Sequence, residues 1–255
     1  MRIDVRDVIL GYERQVVAGP LTFSFDTCDT VGLLGKNGMG KTTLFRTLLR
    51  LIRPCSGSIS IDGRDLDEYS AGRLAQVFSY VPQSDRSSMR QTVIDMVLMG
   101  RASHIPRFSS PRKEDYAVAC GALERLGIQD LGKADYGQLS GGQRRMVLLA
   151  RAMAQGSRMI LMDEPASNLD YYNQKMLIDA IRSLTDGGSG VFMISHAPDH
   201  VLACCSRALL LEGGGTFSFG ASHEVITKES LEKLYGVDVS VESGEGRGVS
   251  CAVHW

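Results

Sequence analysis

The stretch Gly35-Lys36-Asn37-Gly38-Met39-Gly40-Lys41-Thr42-Thr43 satisfies the pattern G-x-x-x-x-G-K-[ST] at every position. Before it runs Thr30-Val31-Gly32-Leu33-Leu34, short and apolar like a buried strand. After it, Leu44, Phe45, Leu48, Leu49 and Ile52 recur at helical spacing. Strand, glycine loop and helix in that order make a phosphate cradle: the glycines let backbone N–H groups turn inward, and the helix adds the positive end of its dipole. In such a cradle Lys41 sets a compact cation against terminal phosphates, the Thr42 hydroxyl is positioned to ligate magnesium, and Thr43 touches a phosphate nearer the sugar. The plain alternative is a glycine-rich turn ahead of an ordinary helix, and the rest of the chain must separate the two.

Three more apolar runs end in polar groups of the right kind. Met159-Ile160-Leu161-Met162 leads into Asp163-Glu164-Pro165. From a strand terminus Asp163 can hold a metal, directly or through water, while Glu164 orients and polarises a water beside a terminal phosphate. Val191-Phe192-Met193-Ile194 delivers Ser195-His196, a phosphate contact or else a hydrogen-bonded structural histidine. Val77-Phe78-Ser79-Tyr80-Val81 ends at Pro82-Gln83, where an α/β sheet sites a ligand-sensing group or simply a polar loop. A fourth signal is Leu139-Ser140-Gly141-Gly142-Gln143, opening a helix that carries Met146, Val147, Ala150, Met153 and Ala154. Its first amides are either a second anion site or merely capped by Ser140.

The chain has 255 residues, enough for one large domain or a core with an inserted subdomain. Lys plus Arg number 28 against 29 for Asp plus Glu, so there is no electrostatic case for a nucleic-acid partner. Six cysteines fall without metal-ligand or disulfide spacing, which suits a reducing cytosol and reads as small apolar filling. No apolar run reaches the roughly 18 residues of a membrane helix, and the N-terminus lacks a signal-peptide core. A soluble chain is expected, able to dock on a membrane protein.

Ile3, Val5, Val8 and Leu10, then Leu21, Phe23 and Phe25, alternate around a turn-like Gly19-Pro20 and predict a small antiparallel sheet. Tyr12 stands beside them, either buried at an edge or presented outward. Ser58 to Ile61 closes on Asp62-Gly63, a hairpin signal. From Gln91 to Gln155 the pattern is helical: one stripe is Val93, Met96, Val97 and Met99, another Ala119, Leu123 and Leu126, with a loop between. The expected organisation is an α/β core over 1–83 and 157–240, a helical subdomain inserted over 84–156, and a mobile tail over 241–255.

With these motifs in order, the chain resembles the ATP-binding subunits of ABC transporters from Ile3 to about Val239. That resemblance implies a P-loop NTPase core of RecA-like type, with a small antiparallel β subdomain and an inserted α-helical subdomain. It implies ATP and magnesium as ligands. Tyr12 then matches the aromatic that stacks on adenine, and Gly35, Asn37, Gly38, Gly40, Lys41, Thr42 and Thr43 the Walker A loop. Gln83 matches the Q-loop, a metal and γ-phosphate contact; Ser140, Gly141, Gly142 and Gln143 match the signature motif. Asp163 and Glu164 match the Walker B pair, Ser167-Asn168-Leu169-Asp170 the D-loop and His196 the switch histidine.

The resemblance further implies a second copy facing head to tail, so that the signature loop of one closes on ATP held by the other. It implies a transmembrane permease, an external substrate-binding protein reached through it, and a place on the cytoplasmic face of the plasma membrane. Thr92 to Arg101, Leu126-Gly127-Ile128 and the ending Leu231 to Val239 are similar to importers of iron-siderophore complexes, haem and cobalamin, and zinc, manganese and molybdate importers have related segments, so the resemblance leaves the transported species open. The chain departs from the family pattern at Ala166, where a Thr is common, at Ala197, where an Asp is common, and at Lys36 and Met39. Two rivals share the motifs: a soluble ABC ATPase acting on an iron-sulfur assembly scaffold, and a module that clamps ATP without turning it over.

Overall fold

In the computed structural model, which describes residues 1–12, 15–83, 91–106, 109–244 and 248–254, two sheets share one core. Strands β1 (Arg2–Tyr12), β2 (Gln15–Asp26), β4 (Ser56–Ile61) and β5 (Arg64–Asp65) form an antiparallel sheet in the order β2-β1-β4-β5. Its register follows the alternation: Ile3 faces Phe25 and Ile61, and Val5 faces Phe23 and Ile59, all buried. The β4–β5 turn falls at Asp62–Gly63, as that dipeptide predicts. Gly19-Pro20 is not the turn. It lies inside β2, where the register with β1 breaks opposite Ile9, so the two residues make a bulge; the antiparallel pairing of β1 with β2 runs out to Tyr12 opposite Gln15.

The second sheet has the order β10-β9-β3-β8-β7-β6, built from β3 (Thr30–Gly35), β6 (Phe78–Val81), β7 (Met159–Asp163), β8 (Gly190–Ile194), β9 (Arg207–Gly213) and β10 (Thr216–Ala221). All pairings are parallel except β9 with β10. A parallel sheet is covered on both faces, and β7 shows how. Met159 and Leu161 enter the layer shared with the antiparallel sheet and α1 (Lys41–Leu48), while Ile160 and Met162 enter a second layer with the helices that follow Val93. Phe192 joins the first layer, its ring 5.2 Å from both Phe25 and Phe45.

After α2 (Ala71–Val77), helices α3 (Val93–Leu98), α4 (Lys113–Arg125) and α5 (Gly141–Ala154) pack against one another. Thr92 and Asp95 form a reciprocal cap at the start of α3. Val93, Met96 and Val97 are buried as their spacing predicts, but Met99 is 41 % exposed, because α3 tightens into a 3-10 turn there and swings the side chain out of the stripe. Residues 84–90, where the insert is expected to begin, lie outside the described residues.

The chain continues through α6 (Tyr171–Asp186), α7 (Pro198–Cys204), α8 (Ser222–Val225) and α9 (Lys228–Tyr235). The expected mobile tail is instead a hairpin, β11 (Val239–Gly244) against β12 (Gly248–Val253). Its anchor is α7: the Cys251 amide donates to Asp199 Oδ1 at 2.5 Å, and Val241 and Cys251 pack on the core. Cysteine as core filler also needs correction, since Cys28, Cys55 and Cys120 are exposed. Among the described residues no helix is long and apolar enough to cross a membrane.

Candidate functional site

Because β3, β6, β7 and β8 run parallel, their carboxyl ends reach one edge of the sheet and deliver the phosphate loop, Gln83, Asp163-Glu164 and His196 side by side. One cleft there is lined by Tyr12, Asn37, Gly38, Gly40, Lys41, Thr42, Thr43, Gln83, Glu164 and His196. Gly40, at φ 87°, turns the chain into α1 in a conformation that strains any side chain. The helix has no side-chain cap and no acidic residue in its first turn, so its leading amides are left to bind an anion.

Lys41 is buried, and its Nζ donates to the carbonyls of Gly35 at 2.6 Å and Lys36 at 3.0 Å, which holds the ammonium across the mouth of the loop. Burial lowers its pKa, and the charges of Glu164 and Asp163 oppose that shift. Thr42 Oγ1 donates to Asp163 Oδ2 at 3.0 Å, and the same oxygen accepts from Tyr80 Oη at 3.3 Å. Asp163 is only 3 % exposed, and burial raises its pKa against those two hydrogen bonds. Burial and the Asp163 charge push the Tyr80 phenol up to about 12. A hydroxyl, a carboxylate and the Gln83 amide oxygen are the hard donors that magnesium prefers, with room for phosphate oxygens to complete the shell.

Glu164 is held from both sides. Its Oε2 accepts from Gln83 Nε2 at 2.6 Å and its Oε1 lies 2.7 Å from His196 Nε2. Its backbone has φ 47°, a left-handed conformation costing about 1–3 kcal/mol for a residue with a side chain, and Ser167 fastens it by donating to the Glu164 carbonyl through N and Oγ. In this conformation the carboxylate lies between Gln83 and His196 at the cleft.

The structure does not bring every predicted residue to this cleft. Ser140, Gly141 and Gln143 are exposed at the start of α5, with Ser140 and Gln143 capping the helix reciprocally. Gly142 is buried against Asn173, whose amide Asp170 accepts in capping α6. These five stand apart from the phosphate loop of their own chain. Tyr12 does line the cleft, 41 % exposed, with its phenol oxygen accepting from Thr43 at 3.5 Å and Arg46 at 3.1 Å; the Thr43 contact is the main cause of its lowered pKa.

Sequence reasoning missed three partners: Arg46 on Tyr12, Tyr80 on Asp163, and Arg145, which donates to the carbonyls of Pro82 and Gln83 at 2.6 Å each. None of the three is marked by a local pattern: Tyr80 shares its strand with a second polar residue, Ser79.

Fold and cleft together define a P-loop cassette for a nucleoside triphosphate. A family model described as "ABC transporter" matches residues 19–167. The molybdate import ATP-binding protein MolC of Haemophilus influenzae is 37 % identical over 84 % of this chain and 80 % of its own. The ferric enterobactin transport ATP-binding protein FepC of Escherichia coli is 31 % identical over 92 % and 88 %. Among solved structures, a metal-chelate type ABC transporter in an inward-facing conformation is 32 % identical, with a TM-score of 0.87 over 99 % of this chain and 97 % of the other. The chain belongs to the ABC transporter family.

Proposed function

We propose that this chain is the ATP-hydrolysing subunit of an ABC importer for a metal chelate, lying on the cytoplasmic face of the membrane by way of a transmembrane permease. The observation that carries the reading is Glu164, clamped between Gln83 and His196 at the rim of the phosphate-loop cleft. Tyr12 offers its ring to adenine, and the loop amides with Lys41 neutralise the terminal phosphates. Thr42, Asp163 and Gln83 would hold magnesium, which supplies Lewis-acid stabilisation of the phosphate oxygens.

Glu164 takes the proton of the attacking water as the new P–O bond forms, and the bond from γ-phosphorus to the bridging oxygen breaks to leave ADP and phosphate. Gln83 and His196 occupy one acceptor position on each carboxylate oxygen, so a lone pair remains on each and Glu164 can accept that proton while both contacts hold it in place. An ionised carboxylate only accepts, so His196 carries its proton on Nε2 while the pair persists.

Ser140, Gly141, Gly142, Gln143 and Asp170 take their part from a second copy, turned head to tail, whose α5 amides close on the triphosphate. The site is then finished only in the dimer, where water is excluded and charge acts at lower dielectric. The importer names of the relatives, which match over most of both chains, favour this over a soluble scaffold ATPase. A substrate-binding protein outside the membrane completes the system.

Phosphate release tests the core of the reading. Glu164→Gln should lose roughly a hundredfold or more of the rate while still binding ATP, and should elute as an ATP-dependent dimer that Ser140→Arg keeps monomeric. Hydrolysis near the original rate removes Glu164 as base; a monomer in all variants removes the shared site. Co-purification with a membrane permease supports import, and with a soluble scaffold overturns it.

A further inference from the structure

Arg145 lies one turn inside α5, behind the exposed Ser140-Gly141 start, and is 8 % exposed. Its guanidinium spans two consecutive carbonyls at the end of β6: Nη1 donates to Pro82 and Nη2 to Gln83, each at 2.6 Å. Packing does not require a cation there, because α5 is already seated by Met146, Val147 and Ala150. A buried guanidinium is costly unless its donors are matched, and these are matched to the main chain of Pro82 and of Gln83, whose side chain holds one oxygen of Glu164.

We propose that Arg145 is a positioning residue for hydrolysis: by gripping the Gln83 main chain it aims the Gln83 amide at Glu164 and ties the signature helix to the carboxylate that handles water. A shift of α5 when its exposed start meets a ligand would reach Glu164 through two side chains, Arg145 and Gln83. This rests on the proposed ATPase reading.

The test is a double-mutant cycle on the full chain, with ATP hydrolysis measured as kcat and KM separately. Arg145→Gln should lower kcat roughly tenfold to a hundredfold, with KM for ATP changing much less than kcat because the phosphate loop, Lys41 and Tyr12 are not among its contacts. Arg145→Lys, which keeps the cation and loses the fork, should fall between. In a Gln83→Ala background the Arg145→Gln change should cost kcat almost nothing further, since its route of action is gone.

Equal losses in both backgrounds, an unchanged kcat, or a loss expressed only in KM would overturn the inference. If thermal melts show Arg145→Gln to be unfolded, the same cycle is run with Arg145→Lys. A wild-type chain that neither binds nor hydrolyses ATP would instead sink the ATPase reading itself, so the two failures are distinguishable.

Discussion

Glu164 and His196 meet at 2.7 Å although they lie 32 positions apart, because β7 and β8 are adjacent parallel strands, β7 ending immediately before Glu164 and β8 two residues before His196. The pair is one bond of a line running from Gln83 through Glu164 to His196. Removing the imidazole frees one carboxylate oxygen and takes away a hydrogen bond to a charged group. His196→Ala should therefore cut steady-state phosphate release by roughly tenfold to a hundredfold with ATP affinity little changed. A rate equal to wild type would show that the contact does not serve the reaction.

The left-handed backbone at Glu164 predicts a separation of stability from activity. Both Glu164→Ala and Glu164→Gly abolish the carboxylate, but only glycine accepts φ 47° without strain. The glycine variant should be the more stable of the two by about 1 kcal/mol, seen as a melting temperature higher by about 2–4 °C for a chain of this size. Equal melting temperatures would mean that the conformation costs nothing here.

Much of this site is legible in sequence because each motif is local. Glycines, Lys41 and Thr42 are chain neighbours, and Asp163-Glu164 and Ser195-His196 follow directly on apolar runs. The contacts that went unread join distant segments: Tyr80 meets Asp163 across 83 positions and Arg145 meets Gln83 across 62, set by strand register and helix docking with no local pattern. Gly19-Pro20 misled because a dipeptide typical of turns also serves in a bulge. The C-terminal hairpin was hidden because its glycine-rich centre outweighs the short apolar alternation of Val239 and Val241 on one side and Cys251 and Val253 on the other.

Asp163 gives a pH dependence with a definite sign. Burial raises its folded pKa above the ordinary 3.8, so across the window from 3.8 up to the raised value the folded state binds more protons than the unfolded one. Stability from this group is therefore greatest below about pH 3.8 and falls as pH rises through that window. In chelator-treated, nucleotide-free protein, Asp163→Asn should melt higher than wild type at neutral pH, and the difference should vanish at acid pH. A variant less stable than wild type at neutral pH would contradict that sign.

The hairpin of β11 and β12 is fastened to α7, which begins two residues after His196. Deleting residues 241–255 removes the partly buried Val241 and Cys251 and leaves Asp199 without its amide donor. The loss should be about 1–3 kcal/mol, a melting temperature lower by several degrees, with faster hydrogen exchange concentrated in α7. Asp199→Ala alone should reproduce only the hydrogen-bond share of that loss. Because α7 leads back to His196, the deletion should also slow phosphate release more than it weakens ATP binding. A truncated chain with unaltered melting and unaltered exchange in α7 would show the hairpin to be a passenger on the fold.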